Sequence, residues 1–170
     1  GVMPEPTRRK FKKLLVANRS EIAIRVIRAA NELGIRTVAV FAEEDKLALH
    51  RFKADESYRI GEGLGPVKAY LSIEEMIRVA QEAGADAIHP GYGYLSENAG
   101  FARDVTAAGI AWVGPSPEAI ERMGDKITAK ALAEECDVPT LPGSEDPADA
   151  DSVGYPLLVK ASAGGGGKGM

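Results

Sequence analysis

Short apolar runs alternate with helical patterns along residues 12 to 113, and this alternation constrains the fold more than any other feature of the sequence. Lys12 to Ala17 and Arg36 to Ala42 are nearly continuous apolar runs, as expected of strands that are covered on both faces. Between them, apolar residues recur at helical spacing up to Leu33, and Gly34 ends the pattern. This strand–helix–strand order predicts an α/β fold with a parallel sheet.

The same alternation continues towards the carboxyl terminus. Asn18 with Glu21, and Ser72 with Glu75, match the capping box and predict the starts of two helices. His50 is predicted to be a solvated helix residue. The remaining predicted elements are a short helix at 45–55, an extended piece at 57–60, a loop at 61–66, a helix at 72–84, a strand at 86–89, a helix at 101–108, a strand at 110–113 and a helix from 116 that is interrupted at 124–126 and resumes over 127–136.

The last stretch of the sequence predicts a phosphate-binding loop. A short apolar strand over 156–160 ends in Lys160 and leads into Gly164, Gly165, Gly166, Gly167, Lys168 and Gly169. Consecutive glycines let backbone N–H groups converge on an anion, and the lysines supply positive charge. A flexible glycine linker is the alternative, although such linkers do not usually follow a buried strand. The stretch is not a P-loop, because no Ser or Thr follows Lys168.

Composition limits both the number of domains and the partners. The 170 residues fit one domain with a real core and at most the beginning of another. Proline, glycine and aspartate become frequent over 138–153, so we expect a first domain over 12–135, a linker over 136–155 and the start of a second domain over 156–170. The net charge of −4 argues against nucleic-acid binding, and no apolar run is long enough for a membrane span. The single cysteine, Cys136, suits a reducing compartment, so we expect a cytoplasmic protein.

A second glycine-rich segment, His89 to Asn98, follows a predicted strand. In open α/β sheets, ligands bind at the carboxyl ends of the strands. With the glycine loop and Gly124-Asp125-Lys126, this segment makes the sequence resemble the amino-terminal part of a biotin carboxylase, in the ATP-grasp superfamily. The resemblance covers residues 12 to 170 and includes Val16 to Ala23 and Gly114-Pro115. Residues 42 to 57 are most similar to bacterial family members that carboxylate pyruvate, with acyl-CoA carboxylases as the nearest competitors.

The resemblance implies a Rossmann-like domain that precedes the ATP-grasp and binds no dinucleotide, followed by the truncated start of the ATP-grasp domain. Asn18-Arg19-Ser20 stands where a dinucleotide-binding fold would have its Gly-x-Gly-x-x-Gly motif. Family enzymes use MgATP to activate bicarbonate and then carboxylate biotin, which is attached to a carrier domain. The sequence departs mildly from the family, with Ser20 where many members have glycine, Tyr94 where many have phenylalanine and Lys168 where many have arginine.

The resemblance also implies roles for individual residues. Lys126, Lys160 and the glycine loop 164–169, including Lys168, would contact the ATP phosphates, while Tyr92 and Gly93 would line the pocket for bicarbonate and biotin. Arg25, Arg28 and Glu32 would contribute to a dimer interface. The ligands for Mg²⁺ and the residues that perform the chemistry would lie beyond Met170, so we expect no catalytic residue and no activity in these residues alone.

Two other functions stay open from the sequence. The chain could be a non-catalytic module for dimer contacts, in which case the charged stripe of Arg25, Arg28 and Glu32 would matter most. It could also belong to an ATP-grasp ligase that acts on an amine or a carboxylate without biotin. A charged stripe is usually just a solvated helix face, and Tyr92 could equally lie in a structural turn.

Overall fold

The structure is a computed structural model and describes residues 10–135. The chain order is β1 (Lys13–Val16), α1 (Ser20–Glu32), β2 (Arg36–Phe41), a 3₁₀ turn (Glu43–Asp45), α2 (Leu49–Lys53), β3 (Glu56–Arg59), α3 (Pro66–Tyr70), α4 (Ile73–Ala83), β4 (Ala87–His89), a second 3₁₀ turn (Tyr94–Glu97), α5 (Ala99–Ala107), β5 (Ala111–Trp112) and α6 (Pro117–Glu135). The predicted linker at 136–155 and the predicted strand and glycine loop at 156–170 lie outside the described residues.

The strands form one parallel sheet in the order β3-β2-β1-β4-β5. Val16 at the end of β1 lies between Ala39 of β2 and His89 of β4. From β1 the chain first adds strands on one side and then returns to add β4 and β5 on the other. The order therefore reverses between β1 and β4, which is where ligands bind in open α/β sheets. The predicted α/β fold with a parallel sheet is confirmed.

The core has two layers because successive residues of a strand point to opposite faces of the sheet. Leu15 and Ile88 belong to the larger cluster, on the face that α4 and α5 cover through residues such as Met76 and Phe101. Leu14, Val16 and Ala87 belong to the smaller cluster, which packs against the Ala23 and Ile27 face of α1. Both faces of β1 are buried, as its continuous apolar run predicted.

Of three local predictions between β2 and α4, one is confirmed and two need correction. The extended piece predicted at 57–60 is confirmed as β3, an edge strand paired with β2. The helix predicted at 45–55 is limited to α2, because a separate 3₁₀ turn precedes it. The loop predicted at 61–66 ends sooner, since Pro66 occupies the first turn of α3, where its missing N–H and fixed φ are tolerated.

The capping predictions had mixed outcomes. The Ser72 hydroxyl accepts a hydrogen bond from the Glu75 N–H, so this cap is confirmed. The interruption predicted at 124–126 is wrong, because α6 continues through Gly124. A single glycine costs only about 1 kcal/mol in a helix interior, and the Ala-, Lys-, Leu- and Glu-rich residues that follow favour helix strongly. Within residues 10–135, no helix is long and apolar enough to cross a membrane.

Candidate functional site

Two loops meet at the carboxyl edge of the sheet, at the point where the strand order reverses. One is the turn at 17–19, which connects β1 to α1, and the other is the loop at 90–93, which follows β4. The Ala17 N–H donates to the His89 carbonyl at 2.9 Å, so pairing between the two strands extends one residue into the turn. The segment that resembles the family's ligand loop therefore lies directly beside the end of β1.

Asn18 joins these two loops. Its side chain is buried, with 1% of its surface exposed. The amide nitrogen Nδ2 donates to the carbonyl oxygens of Pro90 and Tyr92, both at 2.8 Å, and Oδ1 accepts from the Arg19 N–H at 2.8 Å. The capping box predicted for Asn18 and Glu21 is therefore wrong: the N-cap of α1 is Arg19, and its side chain makes no capping hydrogen bond.

The loop after β4 has a backbone that glycine makes possible. Gly91 has φ +66, and a Cβ atom there would lie 2.7 Å from Asn18 Nδ2 and 2.8 Å from Ile22 Cγ2, closer than real Cβ contacts. Gly93 has φ 70 and ψ −166, a region that is essentially restricted to glycine. The next residue, Tyr94, also has a positive φ of 46. Such conformations persist only where the surroundings determine them, and they cluster at ligand sites.

The predicted ligand residues of this loop lie side by side in the structure. Tyr92 is exposed over 54% of its surface, whereas Gly93 and Tyr94 are buried. The Gly91 N–H donates to His89 Nδ1 at 3.0 Å, and burial lowers the pKa of His89. A neutral imidazole is the form that can accept this hydrogen bond. The contact of Tyr92 and Gly93 with a ligand stays a prediction.

A buried carboxylate next to this loop was not anticipated as a site residue. Asp45 accepts hydrogen bonds from the guanidinium of Arg19 and from the hydroxyl of Tyr70, the latter at 2.6 Å. The same hydroxyl accepts from the Ala42 N–H at 3.1 Å. Burial and the hydrogen bond to Asp45 raise the pKa of Tyr70 well above its usual range. The Tyr70 hydroxyl therefore stays protonated and donates its hydrogen to Asp45.

Arg19 is the cation of this cluster. Burial alone would lower its pKa, but the hydrogen bonds to Asp45 and Tyr94 raise the pKa of Arg19 above its ordinary value. The guanidinium carbon also lies 5.4 Å from the centre of the Tyr70 ring, within the range of a cation–π contact. In the sequence, Arg19 was noted as part of the motif Val16 to Ala23 and of the segment Asn18-Arg19-Ser20, but no role was assigned to its side chain. Its link to Asp45 could not be predicted, because the two residues come from different loops.

His50 completes the cluster, and its predicted solvated position is wrong. It is buried, with 1% of its surface exposed. Nε2 lies 2.9 Å from the Val40 carbonyl, and Nδ1 accepts from the Ser20 N–H at 3.4 Å. Burial lowers the pKa of His50, so the imidazole is neutral and donates through Nε2. Ser20 has a φ of 57, which is unusual for a residue with a side chain.

Among the residues predicted to bind phosphate, Lys126 lies within residues 10–135 and the others do not. Lys126 lies on α6 and is exposed. Lys160, Lys168 and the glycines at 164–167 and 169 lie outside the described residues, so the structure does not test their predicted role. Residues 10–135 contain no cluster of His, Cys, Asp and Glu side chains that could hold a metal ion.

The predicted interface residues lie on a different surface. Arg25, Arg28 and Glu32 are exposed on α1, and none of them forms an ion pair with another described residue. A groove of about 380 Å³ runs along this side of the helix. It is lined by Ile24, Ile27, Arg28, Asn31, Glu32 and Lys53.

Comparison with known proteins supports the resemblance. Residues 10–120 match the family model described as "Biotin carboxylase, N-terminal domain", and residues 125–170 match "Carbamoyl-phosphate synthase L chain, ATP binding domain". Mitochondrial pyruvate carboxylase of Mus musculus is 53% identical over 168 residues, which cover 94% of this chain and 14% of the mouse protein. The chain thus spans about a seventh of that relative's length.

Solved structures agree in fold as well as in sequence. The complete multifunctional pyruvate carboxylase from Rhizobium etli superimposes with a TM-score of 0.69 at 58% identity, over 80% of this chain and 13% of that one. The biotin carboxylase domain of a thermophilic 2-oxoglutarate carboxylase, bound to ADP without magnesium, gives 0.68 at 50% identity, over 94% of this chain and 37% of that one. With a family model that matches residues 10–120 of 170, and with this fold, the chain belongs to the biotin carboxylase N-terminal domain family.

Proposed function

We propose that this chain is the amino-terminal part of an ATP-dependent biotin carboxylase, which uses bicarbonate to carboxylate biotin. The observation that carries the proposal is the order of the two family matches: a biotin carboxylase N-terminal domain over residues 10–120 is followed directly by an ATP-binding domain from residue 125. Pyruvate as the final acceptor is the finer part of the proposal. It rests on the pyruvate carboxylases among the relatives and on the resemblance of residues 42–57.

The described residues fit one edge of such a site. The strand order reverses beside Tyr92 and Gly93, and Tyr92 presents an exposed phenol there. The Gly93 N–H makes no hydrogen bond within residues 10–135 and can therefore donate to a ligand oxygen. A ureido ring and bicarbonate both present oxygen acceptors. We assign Tyr92 and Gly93 to this side of the pocket.

The nucleotide side of the proposed site would be formed by lysines and glycines. Lys126 is exposed on α6 and can reach a ligand without being freed from an ion pair within residues 10–135. Lys160, Lys168 and the glycines between them would surround the phosphates, since lysine ammonium groups and glycine N–H donors suit polyanions. Catalysis of phosphoryl transfer depends mainly on such positioning and charge neutralisation. Mg²⁺ and a biotinyl carrier domain would be the further partners.

Bicarbonate-dependent ADP release by the full-length protein that contains this chain tests the proposal. We expect turnover to require bicarbonate and to rise when free biotin is added, and we expect the 170 residues alone to release no ADP. Lys126→Ala should raise the KM for ATP, while Lys130→Ala, one turn further along α6, serves as the matched control. Turnover that is indifferent to biotin would favour an ATP-grasp ligase acting on another substrate.

A further inference from the structure

We propose that Asn18 is a positioning residue that sets the orientation of the peptide between Tyr92 and Gly93. This proposal rests on the proposed function, because it assigns Asn18 to the pocket for biotin and bicarbonate. It concerns a buried amide whose hydrogen bonds cross between two loops. The nitrogen Nδ2 lies 2.8 Å from the Pro90 oxygen and 2.8 Å from the Tyr92 oxygen.

The hydrogen-bonding capacity of Asn18 is directed at the second loop and away from its own helix. An asparagine just before a helix ordinarily caps the first turn. Here Oδ1 accepts from the adjacent Arg19 N–H, and both hydrogens of Nδ2 go to carbonyls that lie 72 and 74 residues away in the sequence. A primary amide is the side-chain group that supplies two donors and an acceptor together at this size. The role therefore depends on asparagine itself.

Fixing the Tyr92 carbonyl also fixes the Gly93 N–H. The two groups belong to one planar trans peptide, in which the C=O and the N–H point in opposite directions. The Gly93 N–H makes no hydrogen bond within the described part of the chain, so it can serve a ligand, and Asn18 sets its direction. Gly93 itself has φ 70 and ψ −166, a conformation that needs such external support.

The contact between Asn18 and Gly91 closes the arrangement. A Cβ atom on Gly91 would lie 2.7 Å from Asn18 Nδ2, so the amide packs directly on the glycine backbone. Other bonds to the loop come from its own ends: the Gly91 N–H donates to His89 Nδ1, and the Ser96 N–H donates to the Gly93 carbonyl at 2.9 Å. Within residues 10–135, Asn18 is thus the side chain outside the loop that holds its central carbonyls.

The test uses the full-length protein with Asn18→Asp, which keeps the shape and Oδ1 but replaces the donor nitrogen with an oxygen. We expect the KM for free biotin to rise about tenfold or more at neutral pH, with the KM for ATP changed less than twofold. A protonated carboxyl can donate one hydrogen, so activity relative to wild type should partly recover as the pH is lowered. Asn31→Asp, the same change at an exposed position of α1, is the control and should leave both constants within twofold of wild type.

Hydrogen exchange provides a readout that does not depend on activity. Peptides covering 89–98 should exchange at least tenfold faster in Asn18→Asp, while β2 exchanges as in wild type, which also shows that the variant is folded. Unchanged exchange, or faster exchange with an unchanged KM for biotin, would overturn the proposal. If wild type itself shows no biotin-dependent turnover, the proposed function fails and the role towards biotin falls with it. The exchange data would still decide whether Asn18 holds the loop.

Discussion

The carboxyl edge of the sheet and the outer face of α1 both carry residues that sequence resemblance assigns to function, but they are built differently. At the carboxyl edge, Asn18, Asp45 and His50 are buried, and each side chain makes hydrogen bonds that join separate segments of the chain. On α1, Arg25, Arg28 and Glu32 are exposed and form no ion pair within residues 10–135. Hydrogen bonds fix the side chains of the first surface, whereas no described ion pair fixes the charged side chains of the second.

This difference separates two kinds of functional claim. A site in which buried polar groups hold a strained loop has a physical reason for its geometry, because such conformations are costly and persist only where they are supported. An exposed charged stripe has no such signature, since solvated faces of helices look the same. We therefore expect changes at the carboxyl edge to affect stability and changes on α1 to affect association alone.

The largest effect should come from Gly91→Ala. The new Cβ would clash with Asn18 and Ile22, and φ is also positive, so we expect the free energy of unfolding to fall by about 3 kcal/mol. Gly34→Ala is the matched control, because Gly34 at the end of α1 has a φ of +74 but nothing within 4 Å of the added methyl. It should cost only about 1 kcal/mol. Urea unfolding measures both, and equal losses would show that the Asn18 contact is unimportant.

Tyr70→Phe should have the next largest effect. Removing the hydroxyl leaves Asp45 with Arg19 alone as its donor among the described residues and leaves the Ala42 N–H without its acceptor, so we expect a loss of about 2 kcal/mol. Tyr58→Phe removes a hydroxyl that bonds to Glu56 at the partly exposed edge strand, and it should cost much less than Tyr70→Phe, because water can replace the lost hydrogen bond. Thermal or urea unfolding of the pair provides the comparison. A similar loss for both variants would contradict a special role for the buried cluster.

The sheet could be predicted from the sequence because its signal is local. Apolar runs mark β1 and β2, and glycines mark the ends of α1 and α4. The positions of these strands and helices can therefore be read from residues that are close in sequence, although the order of the strands in the sheet cannot. The buried hydrogen bonds at the carboxyl edge of the sheet could not be predicted in this way. Asn18 has a strong local alternative as a helix cap, and the carbonyls that it actually bonds lie more than 70 residues away.

The burial of His50 could not be predicted from its neighbours in the sequence either. Its neighbours in sequence, Arg51 and Lys53, suggest a solvated helix, and only the fold brings Val40 and Ser20 to its two ring nitrogens. Family resemblance, in contrast, placed Tyr92 and Gly93 in one loop at the edge of the sheet, where the structure finds them. The resemblance therefore supplied the position of the candidate site, while the contacts that hold it required the structure.

Stability should decrease as the pH falls below about 6.5. The pKa of His50 is lowered in the folded state by burial, with the nearby charge of Arg19 acting in the same direction and that of Asp45 opposing it. The unfolded chain therefore binds the proton more readily, and the free energy of unfolding rises with pH through this range, by at most about 1.4 kcal/mol per pH unit and group. His89, the other histidine of the chain, adds a contribution of the same sign.

Urea unfolding of wild type and of His50→Gln between pH 5.5 and 7.5 measures this dependence. Glutamine keeps a donor for the Val40 carbonyl but does not titrate, so the slope of the free energy of unfolding with pH should be smaller in the variant than in wild type. We expect the remaining slope to come from His89 at the end of β4. If the slope is the same in wild type and in the variant, protonation of His50 does not contribute to the pH dependence of stability.

Ser20→Gly should be mildly stabilising, by about 0.5 to 1 kcal/mol. Ser20 has a φ of 57, which glycine adopts without strain, and this gain exceeds the extra entropy that glycine loses on folding. Ala29→Gly, on the exposed side of the same helix, is the control and should destabilise by about 1 kcal/mol. Opposite signs in thermal unfolding are therefore expected. If both changes destabilise the protein, the Ser20 side chain stabilises the fold by more than the positive φ of Ser20 costs.

The smallest effect on folding is expected for the double variant Arg25→Glu and Arg28→Glu. Both side chains are exposed and unpaired within residues 10–135, so the free energy of unfolding should change by less than about 0.5 kcal/mol. If this face forms the proposed dimer interface, sedimentation should instead show weaker association, because the variant replaces two positive charges of the contact with negative ones. Lys68→Glu, at an exposed position of α3 that is unpaired among the described residues, is a charge-reversal control on another surface. An unchanged association state in the double variant would remove the interface from the proposed functions of this chain.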